Sequence, residues 1–511
     1  MRLIALLLSL ASLSLIACGG DAASGEDDPA SLAPPDAAVY VEAVVRPEGD
    51  LRQGVLDAFG KIADTDDPQG EITKLLTKLE QESDEFDYET DVEPWLGERV
   101  GVWVSDFTGG DPAFALIAQT TDVDLAMETL RKKSAEDDEK LEERSYEGTD
   151  YLVSNSTTAG AIGDFLVIAT EAELKRTIKA ADGESLAEAD RFEEAMEEVS
   201  EDRIASFYVD QRKLFEQVLA ATPGGDAQTL GAVIDPKQLT PVAGALVADG
   251  ERVAVESVGS TGGNALVNQL TALSGESTEL LGELPADAWV AFGMPDLGTT
   301  ANELFKTFAG ALGGAALEGQ FRQQTGLDLQ DDVLGWIGDV AVYASGVGEP
   351  GVRGALVIEV TDAAKAEPAI VKLTGIATAG GADIRPIEVA GAEAAWEVRD
   401  AGLPVRLVLA RSEERVVLAA GSEAAVAALG EGDRLSDSDL WARASEALGG
   451  DVEPSLILDM GKVLENVTAF GGDSDPDYQE AKRYLDAFDV IAAGGAVDDE
   501  TQTGHVAGGL K

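Results

Sequence analysis

The sequence predicts an α+β fold: two tandem copies of a largely antiparallel sheet with helices packed on one face. Three observations carry that prediction. Two stretches of about 230 residues match each other in order, at an offset of about 240–250. Each stretch alternates short β-rich runs with helical patterns. The β-rich runs that adjoin in sequence are joined by turn sequences, which implies antiparallel pairing and helices segregated from the strands.

The chain opens with a charged start at Arg2, an apolar core from Leu3 to Leu10 and small residues Ala11, Ser12 and Ala17 before Cys18. That is the shape of a secretory signal, too short for a membrane span. Leu15-Ile16-Ala17-Cys18 followed by Gly19-Gly20 resembles a bacterial lipoprotein signal, in which the cysteine is lipidated and becomes the first mature residue. Residues 1–17 are therefore expected to be the signal peptide. Residues 18–31 are expected to be the lipidated cysteine and an acidic, disordered tether, because DAASGEDDPAS cannot bury a core. Cys18 is the only cysteine, so the body after it forms no disulfide. The expected location is the cell membrane, lipid-anchored, on the extracytoplasmic side.

Residues 32–262 are expected to form the first repeat domain. Leu51–Ala63 and Glu71–Glu82 read as helices, and the acidic stretch Asp84–Asp91 as exposed. Val100–Val104 and Phe114–Ala118 read as neighbouring strands joined through Thr108-Gly109-Gly110-Asp111-Pro112. Leu125–Lys133 reads as a helix starting near Asp122 or Asp124. Strands are expected at Tyr151–Ser154, Phe165–Thr170 and Ala205–Val209, and helices at Glu171–Ala181 and Phe192–Val199. Leu174 and Ile178 share one helix face. Asp210 is placed to cap a helix over Lys213–Ala220. A hairpin closes the domain, Val242–Ala248 and Arg252–Val258, turning at Asp249-Gly250. Residues 263–283 read as a helical connector, with Leu266, Leu270 and Leu273 on one face.

Residues 284–511 are expected to be the second repeat domain, on five correspondences. Pro34-Pro35-Asp36-Ala37-Ala38-Val39 answers Pro285-Ala286-Asp287-Ala288-Trp289-Val290. Trp95-Leu96-Gly97 answers Trp336-Ile337-Gly338. Ala115–Ala118 answers Ala355–Ile358, and Leu166–Ala169 answers Val416–Ala419. Asp210 with Lys213 and Glu216 answers Asp459 with Lys462 and Glu465. The paired tryptophans are expected to pack at strand entries and the paired lysines to lie on exposed helix faces, rather than to form paired ligand sites.

Hydrophobic content of 45% suffices for packed cores, built mostly from aliphatic side chains because aromatic content is 5%. The formal net charge of −59 excludes nucleic acid as a partner, since phosphate binding needs clustered Lys and Arg. It also disfavours adsorption to anionic lipid head groups. The acid is spread along the whole chain, which fits a solvated surface.

No catalytic or cofactor motif stands out, and no cofactor is expected. His505 is the only histidine, which leaves no partner for a zinc site or a histidine-based triad. Gly346-Val347-Gly348-Glu349-Pro350-Gly351 matches G-x-G-x-x-G but is followed by a strand, so it reads as a hairpin loop and not as a dinucleotide site. Asp473, Asp475, Asp477 and Glu480 are the candidate metal ligands, with alternate oxygens suited to Ca²⁺. The stretch departs from an EF-hand at Pro476 and Tyr478, and the competing reading is a helix N-terminus capped by Asp475 or Asp477.

The Pro-x-Asp-Ala openings, the Trp-x-Gly strand entries, the lipoprotein signal and the repeat together resemble a bacterial family of unknown function, DUF3352, found among secreted proteins. That resemblance implies no activity and no functional residues. The expectation is a non-enzymatic envelope lipoprotein that binds or scaffolds an extracytoplasmic partner. The alternatives are a carrier of a lipid or other apolar molecule, and a hydrolase using paired carboxylates, which 96 Asp and Glu would hide.

Overall fold

The structure is a computed structural model. It describes residues 28–74, 87–107, 113–136, 140–154, 157–222, 224, 227, 231, 234–260, 275–312, 314–348, 351–399, 406–430, 432–497 and 501–511. The chain divides into two compact units, the first ending at Ser260 and the second beginning at Thr261, except that Ala232–Ile234 group with the second and Leu510 with the first. Among the described residues, no helix is long and apolar enough to cross a membrane.

The first unit contains β1 (Val39–Val44), β2 (Leu96–Asp106), β3 (Ala113–Thr120), β4 (Glu142–Tyr146), β5 (Thr149–Ser154), β6 (Thr157–Ile162), β7 (Phe165–Ala169), β8 (Ala205–Asp210), β9 (Pro241–Ala248) and β10 (Arg252–Ser260). They pair antiparallel throughout, in the order β4-β5-β6-β7-β3-β2-β1-β8-β9-β10. The second unit contains β11 (Ala288–Met294), β12 (Ile337–Ser345), β13 (Arg353–Val360), β14 (Asp383–Ile387), β15 (Ala394–Arg399), β16 (Leu407–Arg411), β17 (Arg415–Ala420), β18 (Pro454–Asp459), β19 (Phe488–Val497) and β20 (Thr501–Leu510). Their order is β14-β15-β16-β17-β13-β12-β11-β18-β19-β20, antiparallel from β14 through β19.

The registers correspond as well as the order. Val41 stands opposite Val102 on one side and Phe207 on the other. In the second unit Phe292 stands opposite Val342 and Leu456. Leu116 faces Ile168, and Leu356 faces Leu418. Offsets between matching positions change where β2 and β12 carry bulges of different size, between Leu96 and Val100 and between Ile337 and Val340.

Helices cover both faces of each sheet, not one as the sequence reading expected. In β3, Leu116 and Ala118 join Trp95 and Met127 in one cluster. Ala115 and Ile117, pointing the other way, join Leu174, Ile178 and Phe192 in a second. The second unit repeats the pattern. Ile358 and Val416 pack with Trp336 and with Ile370 of the helix Ala363–Ala379. Tyr343 reaches the opposite face, where its hydroxyl donates to the Ala424 carbonyl of the helix Ser422–Ala428 at 3.0 Å. The physical reason lies in β3 and β7, which are continuous apolar runs and not alternating ones; a strand apolar at every position is buried on both faces. Each such Leu, Ile or Val stabilises the unit by about 1.5–3 kcal/mol.

Local elements follow their sequence signals. Helix Glu171–Asp182 begins at Thr170, whose side chain accepts the Glu173 N–H, and it buries Leu174 and Ile178. Helix Val123–Glu136 begins beside Asp122, which accepts the Leu125 N–H at 3.0 Å. Asp210 caps helix Gln211–Ala221 and Asp459 caps helix Met460–Ala469, each accepting the N–H three residues on. The hairpin of β9 and β10 turns at Gly250, with φ of +83°.

The tether expectation runs a few residues too far. Pro29–Leu32 forms a turn of 3₁₀ helix whose Pro29, Ala30 and Leu32 are buried against the first unit. The exposed-acid expectation fails at Asp91, which is buried. The loop Thr108–Pro112, most of Glu71–Glu82 and the connector leucines lie outside the described residues.

Candidate functional site

The first unit carries an open groove of about 1430 Å³. Its floor is apolar and aromatic, with Leu32, Phe165 and Phe192 buried there. Tyr40, Phe192 and Tyr208 stack edge to face, with centroid separations of 5.8 and 5.1 Å. Its walls carry exposed carboxylates, among them Asp164, Asp182, Glu188, Asp190, Glu193, Glu194 and Glu197, and the one arginine among the lining residues is Arg203. The helix Asp190–Met196 supplies both characters: Phe192 turns inward, while Glu193 and Glu194 stay in solvent.

At the inner end of the groove two carboxyl groups meet. Tyr40 and Glu42 lie two residues apart on β1 and so share a face of the sheet. The Tyr40 hydroxyl donates to Glu42 Oε2 at 2.7 Å. Arg99 Nη1 lies 2.6 Å from Glu42 Oε1, with both side chains largely buried. Asp28 lies against Glu42 while its Oδ1 accepts the Ala30 N–H at 2.8 Å. Burial, reinforced by the Glu42 charge, pushes the Asp28 carboxyl up from 3.8 to about 7. Tyr40 is also pushed well above its ordinary value, by burial and then by Glu42. Gly101 makes room for this arrangement, since a Cβ there would come within 2.7 Å of Pro29 Cβ and 3.1 Å of the Tyr40 hydroxyl oxygen.

The corresponding ladder positions of the second unit lack the cluster. Ala291 opposite Tyr343 stands where Tyr40 faces Trp103, and Gly293 opposite Ala341 stands where Glu42 faces Gly101. Around Gly293 lie Thr278 and Leu281 instead of a carboxyl pair.

The residues singled out from sequence are distributed as follows. Cys18 lies outside the described residues. Asp475 caps the helix Pro476–Leu485 by accepting the Asp477 N–H at 2.9 Å. Asp473 Oδ1 accepts from Thr468 and from Gln479. Asp473, Asp475, Asp477 and Glu480 are all exposed or half-exposed, and among the described residues no three acidic or histidine side chains gather into a metal site. Gly346 and Gly348 have positive φ in the turn between the directly paired β12 and β13, and Asn466 Oδ1 accepts the Gly348 N–H at 3.0 Å. His505 lies half-buried within β20.

The tryptophans are placed alike. Each follows a single wide turn, Tyr88–Val92 and Leu329–Val333, and each indole N–H donates four residues back, Trp95 to Asp91 O at 2.6 Å and Trp336 to Asp332 O at 3.0 Å. Asp91 and Asp332 close those turns by accepting the N–H of Asp87 and Asp328. The lysines are not alike. Lys462 is half exposed and bridges to Glu465 at 2.8 Å, as expected. Lys213 is mostly covered, and burial pushes its ammonium below the usual value.

The sequence reading missed Asp28, Glu42 and Arg99. The shared Asp-Val-x-x-Trp spacing, Asp91 to Trp95 and Asp332 to Trp336, was a legible signal for the capped turns. The carboxyl pair had none.

A family model described as "Protein of unknown function (DUF3352)" matches residues 4–501. No curated protein matches the chain. Among solved structures, crystal form IV of TP0453 is 13% identical over 46% of this chain and 81% of that chain, with a TM-score of 0.24. Form I of the same protein gives 13% identity over 47% and 81%, with a TM-score of 0.25. Scores this low do not establish a shared fold.

Proposed function

The chain belongs to DUF3352, a family of proteins of unknown function, and from that premise we propose that it is a non-enzymatic lipoprotein of the cell envelope. In this reading Cys18 carries the lipid, the two units are tandem copies of one module, and the first copy binds an extracytoplasmic partner. Identical strand orders and matching registers support the duplication. The observation that carries the binding reading is the groove of the first unit, apolar at its floor and lined with carboxylates above. A cationic amphipathic segment of a partner protein satisfies both at once, laying apolar side chains on Phe165 and Phe192 and basic ones against Glu193, Glu194 and Glu197.

The chemistry favours this over the two alternatives. An acyl chain in the groove would strip water from carboxylates without pairing them. A glycoside hydrolase sets its two carboxyls about 5–9.5 Å apart, with room for a substrate bond or a water, and an aspartic-protease dyad keeps carboxyl oxygens free for the water that it activates. Here the two touch, and Glu42 has one oxygen on Arg99 and the other on Tyr40.

The test titrates the full chain with an amphipathic Lys/Leu peptide at physiological salt, where unspecific attraction is screened beyond about 8 Å. Glu193→Gln with Glu194→Gln and Glu197→Gln is expected to weaken binding at least tenfold. Asp473→Asn with Asp475→Asn and Asp477→Asn removes as much charge from the second unit and is expected to leave binding unchanged. Equal losses in both variants would mean that the peptide reads overall charge, and the groove reading would fail.

A further inference from the structure

One end of the first unit departs from the acidity of the rest. Where β8 runs into the helix Gln211–Ala221, Arg191 Nη1 lies 3.3 Å from Asp210 Oδ2, and Lys213 Nζ lies 3.9 Å from the same oxygen. The other oxygen of Asp210 accepts the Lys213 backbone N–H at 3.2 Å, so this buried carboxylate is fully committed. Arg212 adds a third cation, close enough for its charge to act on both Lys213 and Tyr208. Among the described residues Arg212 has no ion pair, and its buried Nε has no hydrogen-bond partner. Asp36, the other carboxylate whose charge acts on Lys213, has its Oδ1 taken by Arg176 Nη2 at 2.6 Å. Two cations therefore share one carboxylate and a third, Arg212, has none, in a chain of formal charge −59.

The second unit shows that the fold does not require this crowding. Asp459 caps its helix as Asp210 does, and Arg443 reaches it at 3.3 Å. There Arg443 also meets Asp489 at 2.5 Å, Lys462 has Glu465, and Gly461 stands in the place of Arg212. At this place in the second unit Arg443 and Lys462 each have a carboxylate of their own; among the described residues Arg212 of the first unit has none. An unpaired, partly covered guanidinium is costly to keep unless something fills its donors.

We infer that Arg191, Arg212 and Lys213 form a binding site for an oxyanion, a phosphate or carboxylate group presented by a ligand. Arg212 is its principal contact. The planar guanidinium offers paired donors that match two oxygens of such a group, and Lys213 adds a point charge beside them. Bound anion relieves the repulsion that, together with burial, pushes the Lys213 ammonium down. The Tyr208 hydroxyl, pushed up to about 12 by burial and then by Asp210, stays protonated and able to donate at the rim. The site borders the groove, because Arg191 lies between its lining residues Asp190 and Phe192, but it uses none of the carboxylates that line it.

The experiment titrates the full chain calorimetrically at low ionic strength with inorganic phosphate, with acetate and with glycerophosphoglycerol, the water-soluble headgroup of an anionic lipid. At least one is expected to bind and to raise the melting temperature. Preference for glycerophosphoglycerol names a lipid source, and preference for phosphate or acetate a soluble one. Arg212→Ala is expected to weaken binding about tenfold or more, with an unchanged or higher melting temperature in the absence of anion, and Arg212→Lys to recover part of it. Arg443→Ala, in the second unit, is expected to bind as wild type. The inference is overturned if none of the three anions binds, or if Arg212→Ala binds them as tightly as the unaltered chain.

Discussion

Replacing Asp28 by Asn is the perturbation whose outcome the structure specifies most fully. The Asp28 carboxyl rests against Glu42 and titrates at about 7 in the fold against 3.8 when unfolded. A difference of roughly three units corresponds to about 4 kcal/mol. The sign follows from proton counts. Below pH 3.8 the group is protonated in both states and nothing is lost. As pH rises toward 7 the unfolded chain releases the proton while the fold retains it, so the folded state loses stability, and above 7 the whole penalty is present. Asparagine is neutral throughout, can still accept the Ala30 N–H, and can donate to Glu42. Asp28→Asn is therefore expected to be near neutral at pH 4 and stabilising by on the order of 4 kcal/mol at pH 8. Urea unfolding of both proteins across that range reads the difference, in which the other carboxylates cancel. Amide hydrogen exchange in β1 assigns it to the first unit. A variant equally stabilised at pH 4 and pH 8, or destabilised at pH 8, would refute the reasoning.

Three further outcomes are expected. Trp95→Ala and Trp336→Ala are each expected to cost about 3–5 kcal/mol in urea unfolding. The matching Phe variants should cost about 1–3 kcal/mol through the stranded carbonyls of Asp91 and Asp332. Lys133→Met removes the partner 2.6 Å from buried Asp91 and is expected to destabilise by on the order of 3 kcal/mol, visible as a lower unfolding midpoint. Cys18→Ala is expected to release the protein from the membrane fraction of its host, and unchanged association would remove the lipid anchor from the account.

Much of the fold was legible because its signals are local. Asp210 and Asp459 announce helix starts, Asp249-Gly250 announces a hairpin, and the aligned runs at Ala115, Leu166, Ala355 and Val416 occupy matching ladder positions. The same runs also held the clue that was misread. Ala-Leu-Ile-Ala and Leu-Val-Ile-Ala do not alternate, and two-sided burial is what such strands imply. β4 and β6 were missed because Glu-Glu-Arg-Ser-Tyr and Thr-Thr-Ala-Gly-Ala-Ile lack a strand's usual pattern and take their order from the strands beside them. The acidic tether was drawn past Asp28 because composition cannot show that Gly101 leaves space for Pro29. The carboxyl pair was illegible for a different reason. Asp28, Glu42 and Arg99 come from three separate segments, and nothing distinguishes two partnered acids among 96 until the sheet brings them together.

In the proposed function, a partner docks in the groove of the first unit. Photo-crosslinking in intact host cells addresses it directly, with the reactive side chain replacing Glu193 in the groove in one strain and Asp475 on the second unit in another. A discrete adduct is expected from position 193, joined to a basic amphipathic segment of an envelope protein, and none from position 475. Adducts at position 475 with none at position 193 would contradict it.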